Sequence, residues 1–100
     1  MMDDLTGFQR DLLYVAAGLD GEEPPHGLAI KNEIEQHYSK GINHGRLYPN
    51  LDTLVEMGLL TKGTIDKRTN SYAITDRGYR ELQTRRDWED NYVDMGGAAD

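Results

Sequence analysis

Residues 45–60 read Gly45-Arg46-Leu47-Tyr48-Pro49-Asn50-Leu51-Asp52-Thr53-Leu54-Val55-Glu56-Met57-Gly58-Leu59-Leu60. Leu47, Leu51, Leu54 and Val55 recur at i, i+4, i+7 and i+8, the spacing of one buried helical face. Gly58 suits the left-handed residue that closes a helix, with Leu59 directly after it. The segment therefore predicts a helix within Asn43 to Gly58. Pro49 lacks the amide that a helix interior uses, so the helix either starts at Asn43 and bends, or becomes regular near Tyr48-Pro49. With the leucines turned inward, Arg46, Tyr48, Asn50 and Thr53 are left toward the outer surface.

Upstream, Thr6-Gly7-Phe8-Gln9 fits a capping box, in which the Thr hydroxyl takes a backbone N–H and Gln9 reaches back. Phe8, Leu12, Val15, Ala16 and Leu19 follow at helical spacing and predict a first helix over about 7–19. Asp20 to Pro25 is a turn, and a second helix runs from His26 or Gly27 to Ser39, ended by Lys40-Gly41. Downstream, Leu59 to Ile65 and Ser71 to Thr75 read as two strands around the polar, basic linker Asp66-Lys67-Arg68-Thr69-Asn70. Thr75-Asp76 can cap a last helix over about 76–94. Three helices, a two-stranded hairpin and a final helix make an α+β chain that is mostly α, on the winged helix-turn-helix plan. Its expected divisions are residues 1–75 for the winged helix-turn-helix, 76–95 for a C-terminal dimerisation helix and 96–100 for a frayed, disordered tail.

Composition narrows the function. The chain has 100 residues, 37% hydrophobic and 29% charged, enough for one small domain with a thin core. It has no cysteine, hence no disulfide framework and no thiolate metal site. No apolar run approaches the ~20 residues that cross a bilayer. The start Met1-Met2-Asp3-Asp4 is acidic where a signal peptide is basic, and a cytoplasmic location with no membrane partner is the expectation. The net charge is −7, but it is unevenly spread. Residues 1–39 carry −6, residues 40–86 carry +4 and residues 87–100 carry −5. A basic centre between acidic ends is the asymmetry of a polyanion-binding face. The acid excess over only four lysines further suggests a salt-rich, halophilic cytoplasm.

Particular residues add a family resemblance. Pro25-His26-Gly27-Leu28, then Gly45 to Leu51 with Leu54 and Gly58-Leu59-Leu60, resemble the PadR family of transcriptional regulators. So does Arg68-Thr69-Asn70-Ser71-Tyr72-Ala73-Ile74-Thr75-Asp76-Arg77-Gly78, which is similar to that family's second wing strand and the cap of its last helix. The resemblance covers about residues 8–86, and Leu28 stands where family members often have Tyr. It implies a homodimeric repressor of double-stranded DNA, with the third helix in the major groove and each wing against the backbone.

The chemistry of the same residues agrees. Arg reads guanine bidentately and Asn reads adenine, each worth ~1–3 kcal/mol of discrimination, which makes Arg46 and Asn50 candidate readers. Tyr48 and Thr53 suit phosphate or base contacts, and His44 and Lys40 lie close by in sequence. Lys67, Arg68, Thr69 and Asn70 give a projecting tip two charges and further hydrogen-bonding groups, as phosphate contact requires. On the last helix Trp88, Tyr92 and Met95 fall at i, i+4 and i+7. Aromatics and Met favour interface centres, so these three, with Phe8 and Leu13, are the expected dimer contact. The resemblance also implies a small aromatic effector at that interface, with Trp88 as a stacking face.

Catalysis has little support. His26, His37 and His44 lack zinc-site spacing, and no Gly-rich phosphate loop, nucleophile elbow or paired carboxylates occur. No cofactor or metal is expected. The rival reading is a winged-helix module that contacts protein inside a transcription or chromatin assembly, since a fold alone does not fix function.

Overall fold

The computed structural model describes residues 4–66 and 68–93. Each helix begins at a side-chain cap that the local sequence supplies. Helix α1 spans Gly7–Leu19, and Thr6 and Gln9 form the reciprocal capping box. Helix α2 spans Gly27–Glu35, with His26 Nδ1 accepting from the Ala29 N–H at 3.0 Å. Helix α3 spans His44–Glu56, and Asn43 Oδ1 accepts from the Arg46 N–H at 2.8 Å. That resolves the two starting points: the helix begins before Pro49 and runs through it. The proline withholds one bond from the Gly45 carbonyl, on an exposed turn.

Gly58 takes φ +78° after α3. Its N–H donates to the Val55 carbonyl and the Leu59 N–H to the Leu54 carbonyl, each at 3.0 Å. This pair of bonds is a Schellman motif, which absorbs carbonyls the helix end would leave unpaired. Strands β1 (Leu60–Thr64) and β2 (Asn70–Ile74) then pair antiparallel, with Leu60 opposite Ile74 and Lys62 opposite Tyr72. The α1–α2 loop adds to the far side of β2 through a His26–Ser71 bridge and a 2.8 Å bond from the Tyr72 N–H to the Pro25 carbonyl. Helix α4 spans Asp76–Asp90. Its cap Thr75 accepts from the Gly78 N–H and donates to the Gly58 carbonyl at 2.7 Å, tying the end of α3 to the start of α4.

Among the described residues the architecture is a winged helix: four helices and a two-stranded wing around one core. Leu12 and Leu13 of α1, Ile30 and Ile34 of α2, Leu47, Leu51 and Leu54 of α3, and Tyr72 of the wing are its buried centre. Two expectations need correction. Helix α2 ends at Glu35 instead of Ser39, because Glu35 Oε2 turns to accept the Ile42 N–H at 2.7 Å and closes the turn into α3. Helix α4 ends at Asp90 rather than near residue 94.

Candidate nucleic-acid interface

The outer face of α3 is built by the inward pull of its leucines. Leu47, Leu51 and Leu54 have no exposed surface, which leaves Arg46 exposed and Asn50 and Thr53 half-buried on other sides. Arg46 does not extend freely. Its guanidinium lies over the Phe8 ring of α1, 3.9 Å from the centroid, a cation–π contact. The Asn50 side chain bridges two elements: Nδ2 donates to the Arg46 carbonyl at 2.7 Å, and Oδ1 accepts from Gln9 Nε2 of α1 at 3.0 Å. Thr53 Oγ1 donates to the Pro49 carbonyl at 3.0 Å.

Tyr48 departs from the outward placement expected of it. It is half-buried against the core, its ring edge-on to His44 at 5.6 Å between centroids and seated over Gly27. A Cβ on Gly27 would lie 2.7 Å from Tyr48 Cε1, so only glycine admits this approach of α3 to the start of α2. Lys40 is exposed in the turn before α3.

At the wing tip the Asp66 side chain holds the backbone that follows it. Asp66 Oδ1 accepts from the backbone N–H groups of Arg68 and Thr69 at 2.8 and 3.0 Å. Those bonds, the Arg68 one foremost, hold the Asp66 carboxyl below its usual pKa. Arg68 and Asn70 are exposed and Thr69 half-buried; Lys67 lies outside the described residues. Between the tip, Tyr48 and the first turn of α2 lies a cleft of about 510 Å³, lined among others by His26, Gly27, Asp66 and Arg68. Lys62 of β1 reaches across to Asp52 of α3 at 3.2 Å. The hydrogen bond to Asp52 raises the Lys62 pKa, and the pair neutralises the one acid in the middle of the α3 surface. Exposed pairs of this kind contribute little stability.

The transcriptional regulator PadR-like family matches residues 15–84 of the chain. The chain belongs to that family. Among solved structures, RosR of H. salinarum is 44% identical, with 99% of this chain and 86% of that one covered and a TM-score of 0.84. A RosR complex designated RosR-S1 is 48% identical over 90% of this chain and 77% of that chain, with a TM-score of 0.80. A MarR-family regulator from Rhodococcus sp. RHA1 shares the fold at 19% identity, covering 83% of this chain and 54% of its own, with a TM-score of 0.64. No curated protein matches. The chain is therefore a DNA-binding transcriptional regulator of the winged-helix type and not an enzyme. No helix among the described residues is long and apolar enough to cross a membrane.

In this PadR-like regulator the expected dimer residues divide. Trp88 and Tyr92 are exposed at 41% and 73%, their rings 5.2 Å apart, with Val93 exposed beside them. Arg85 lies over Trp88 at 4.6 Å and bonds Glu89 at 3.2 Å. Leu13 and Phe8 are corrections. Leu13 is fully buried and Phe8 is 7% exposed, because α1 is enclosed by α2, α3 and α4 together. Neither side chain is available to a partner. Met95 lies outside the described residues. Sequence reasoning missed Asp52 and Gln9. Asp52 is an ordinary helical acid until β1 folds over it, and Gln9 had already been accounted for by its cap.

Proposed function

We propose that this PadR-like regulator works as a homodimeric repressor on a near-palindromic operator, with α3 in the major groove and each wing on the phosphate backbone. The carrying observation is the common face of Arg46, Asn50 and Thr53 on α3, flanked across the Tyr48 cleft by Arg68, Thr69 and Asn70 of the wing. Arg46 supplies guanine-type donors. Arg68 and Lys67 supply backbone charge, where displaced counterions give affinity without sequence information. Among the described residues, no large exposed hydrophobic lies on α3, which favours nucleic acid over the protein-contact alternative. The Trp88–Tyr92–Val93 cluster is the dimer contact of this reading, and its Trp face is where a flat aromatic effector would stack. Two subunits then place two α3 helices one turn of DNA apart. The acid excess away from this face suits a salt-rich cytoplasm, where base contacts must carry more of the affinity.

The test selects bound sequences from a randomised duplex pool at several salt concentrations. The reading expects an enriched two-fold site. Arg46→Ala should relax one or two base positions, whereas Lys67→Ala with Arg68→Ala should weaken all sequences alike and flatten the salt slope. Absence of enrichment would favour the protein-contact module.

A further inference from the structure

We infer that Gln9, on the first turn of α1, is a positioning residue for sequence reading: its side-chain amide sets which edge of Asn50 accepts and which donates. The inference rests on the assignment of α3 as the reading helix. Gln9 precedes Asn50 by 41 positions, yet its Nε2 donates to Asn50 Oδ1 at 3.0 Å in a half-buried contact. Gln9 Oε1 meanwhile accepts from the Thr6 N–H at 3.0 Å, and the Gln9 N–H donates to Thr6 Oγ1 at 3.1 Å. The capping box thereby locks the Gln9 amide in one orientation, because a flip would set its NH₂ against the Thr6 N–H.

Asn50 inherits the constraint. With Oδ1 committed to Gln9, Nδ2 donates to the Arg46 carbonyl at 2.7 Å. Flipping Asn50 would oppose NH₂ to NH₂ and oxygen to oxygen, turning both contacts repulsive. One lone pair on Oδ1 and one hydrogen on Nδ2 stay unused. They are the acceptor and donor that a base edge would meet, and Asn reads adenine through that polarity. A capping box accepts either Glu or Gln at this position, but only Gln carries the donor that Asn50 requires. The same turn of α1 places Phe8 under Arg46. The two candidate readers on α3 are thus both set by α1.

Gln9→Glu separates the roles, keeping the capping oxygen while replacing the donor toward Asn50 with an acceptor. Gln9→Ala removes both. For the full chain, relative affinities are measured for the selected operator and for its single-base variants, with thermal unfolding alongside. Gln9→Glu should change the preference ratio about tenfold at the base pair that Asn50→Ala also affects, and leave the ratios elsewhere unchanged. Gln9→Ala combined with Asn50→Ala should lose no more discrimination there than Asn50→Ala alone. Uniform weakening of all variants by Gln9→Glu, or strictly additive losses, would overturn the inference and leave Gln9 a helix cap. If Arg46→Ala and Asn50→Ala leave every ratio intact, α3 is not the reader, and the proposed function fails with the inference.

Discussion

Gly78, in the first turn of α4, is buried where a side chain has no room. An added Cβ would run into the Leu59 carbonyl oxygen and lie 2.7 Å from Ile74 Cγ1. In an exposed helix Gly→Ala stabilises by up to about 1 kcal/mol. Here the sign reverses, because the obstacle is the backbone carbonyl that also accepts the Thr75 N–H. Gly78→Ala should cost about 1–3 kcal/mol of stability, measured by denaturant unfolding. Tyr38 is a second single-residue case. Burial first, and then its hydrogen bond to Asp11 and that carboxylate's charge, push its hydroxyl from 10.0 up to about 12. A group whose value rises on folding stabilises fully below its unfolded value and loses that contribution as pH climbs through the folded one. Stability should therefore fall between about pH 10 and 12, and Tyr38→Phe should flatten that part of the profile. Tyrosinate absorbance of wild type against the variant locates the group directly.

At the scale of elements, the turn between α2 and α3 decides how α3 is presented. Glu35 closes it through the Ile42 N–H, while Lys31 holds the other carboxylate oxygen at 3.1 Å. The backbone bond foremost, then Lys31, lowers the Glu35 pKa below 4.5. A depressed carboxylate stabilises above its unfolded value and loses that contribution as pH falls through the folded one. Stability should thus decline below about pH 4.5, and Glu35→Ala should be less stable at neutral pH with a shallower acid limb in denaturant unfolding at stepped pH. Since Glu35 touches neither the α3 outer face nor the wing, the variant's DNA affinity should fall without a change of preferred sequence.

Over the whole molecule, one end of α4 is joined to the core and the other is not. Leu82 is buried, whereas Trp88, Tyr92 and Val93 are exposed. Aromatic anchors of this kind carry much of an interface's energy. On the proposed dimer, Trp88→Ala should raise the monomer fraction in sedimentation while leaving the monomer fold intact. A dimer of unchanged strength would place the contact elsewhere.

The sequence by itself determined the element order, the starts of α1 and α4 and the face of α3 that turns inward, while the start of α3 stayed open between Asn43 and Pro49. Caps such as Thr6 and Thr75 act within three residues, and the leucine spacing follows from helical geometry alone. The Gly58 stop was legible for the same reason. Tertiary structure decided the rest. One apolar face suffices for a helix on a surface, but α1 is packed on several sides, so Leu12 and Leu13 are both buried and Leu13 is removed from any partner contact. Arg46 on Phe8, Asn50 on Gln9 and Lys62 on Asp52 join residues from different elements. Such pairs depend on distance through space, which chain spacing does not encode until the core has brought α1, α3 and the wing together.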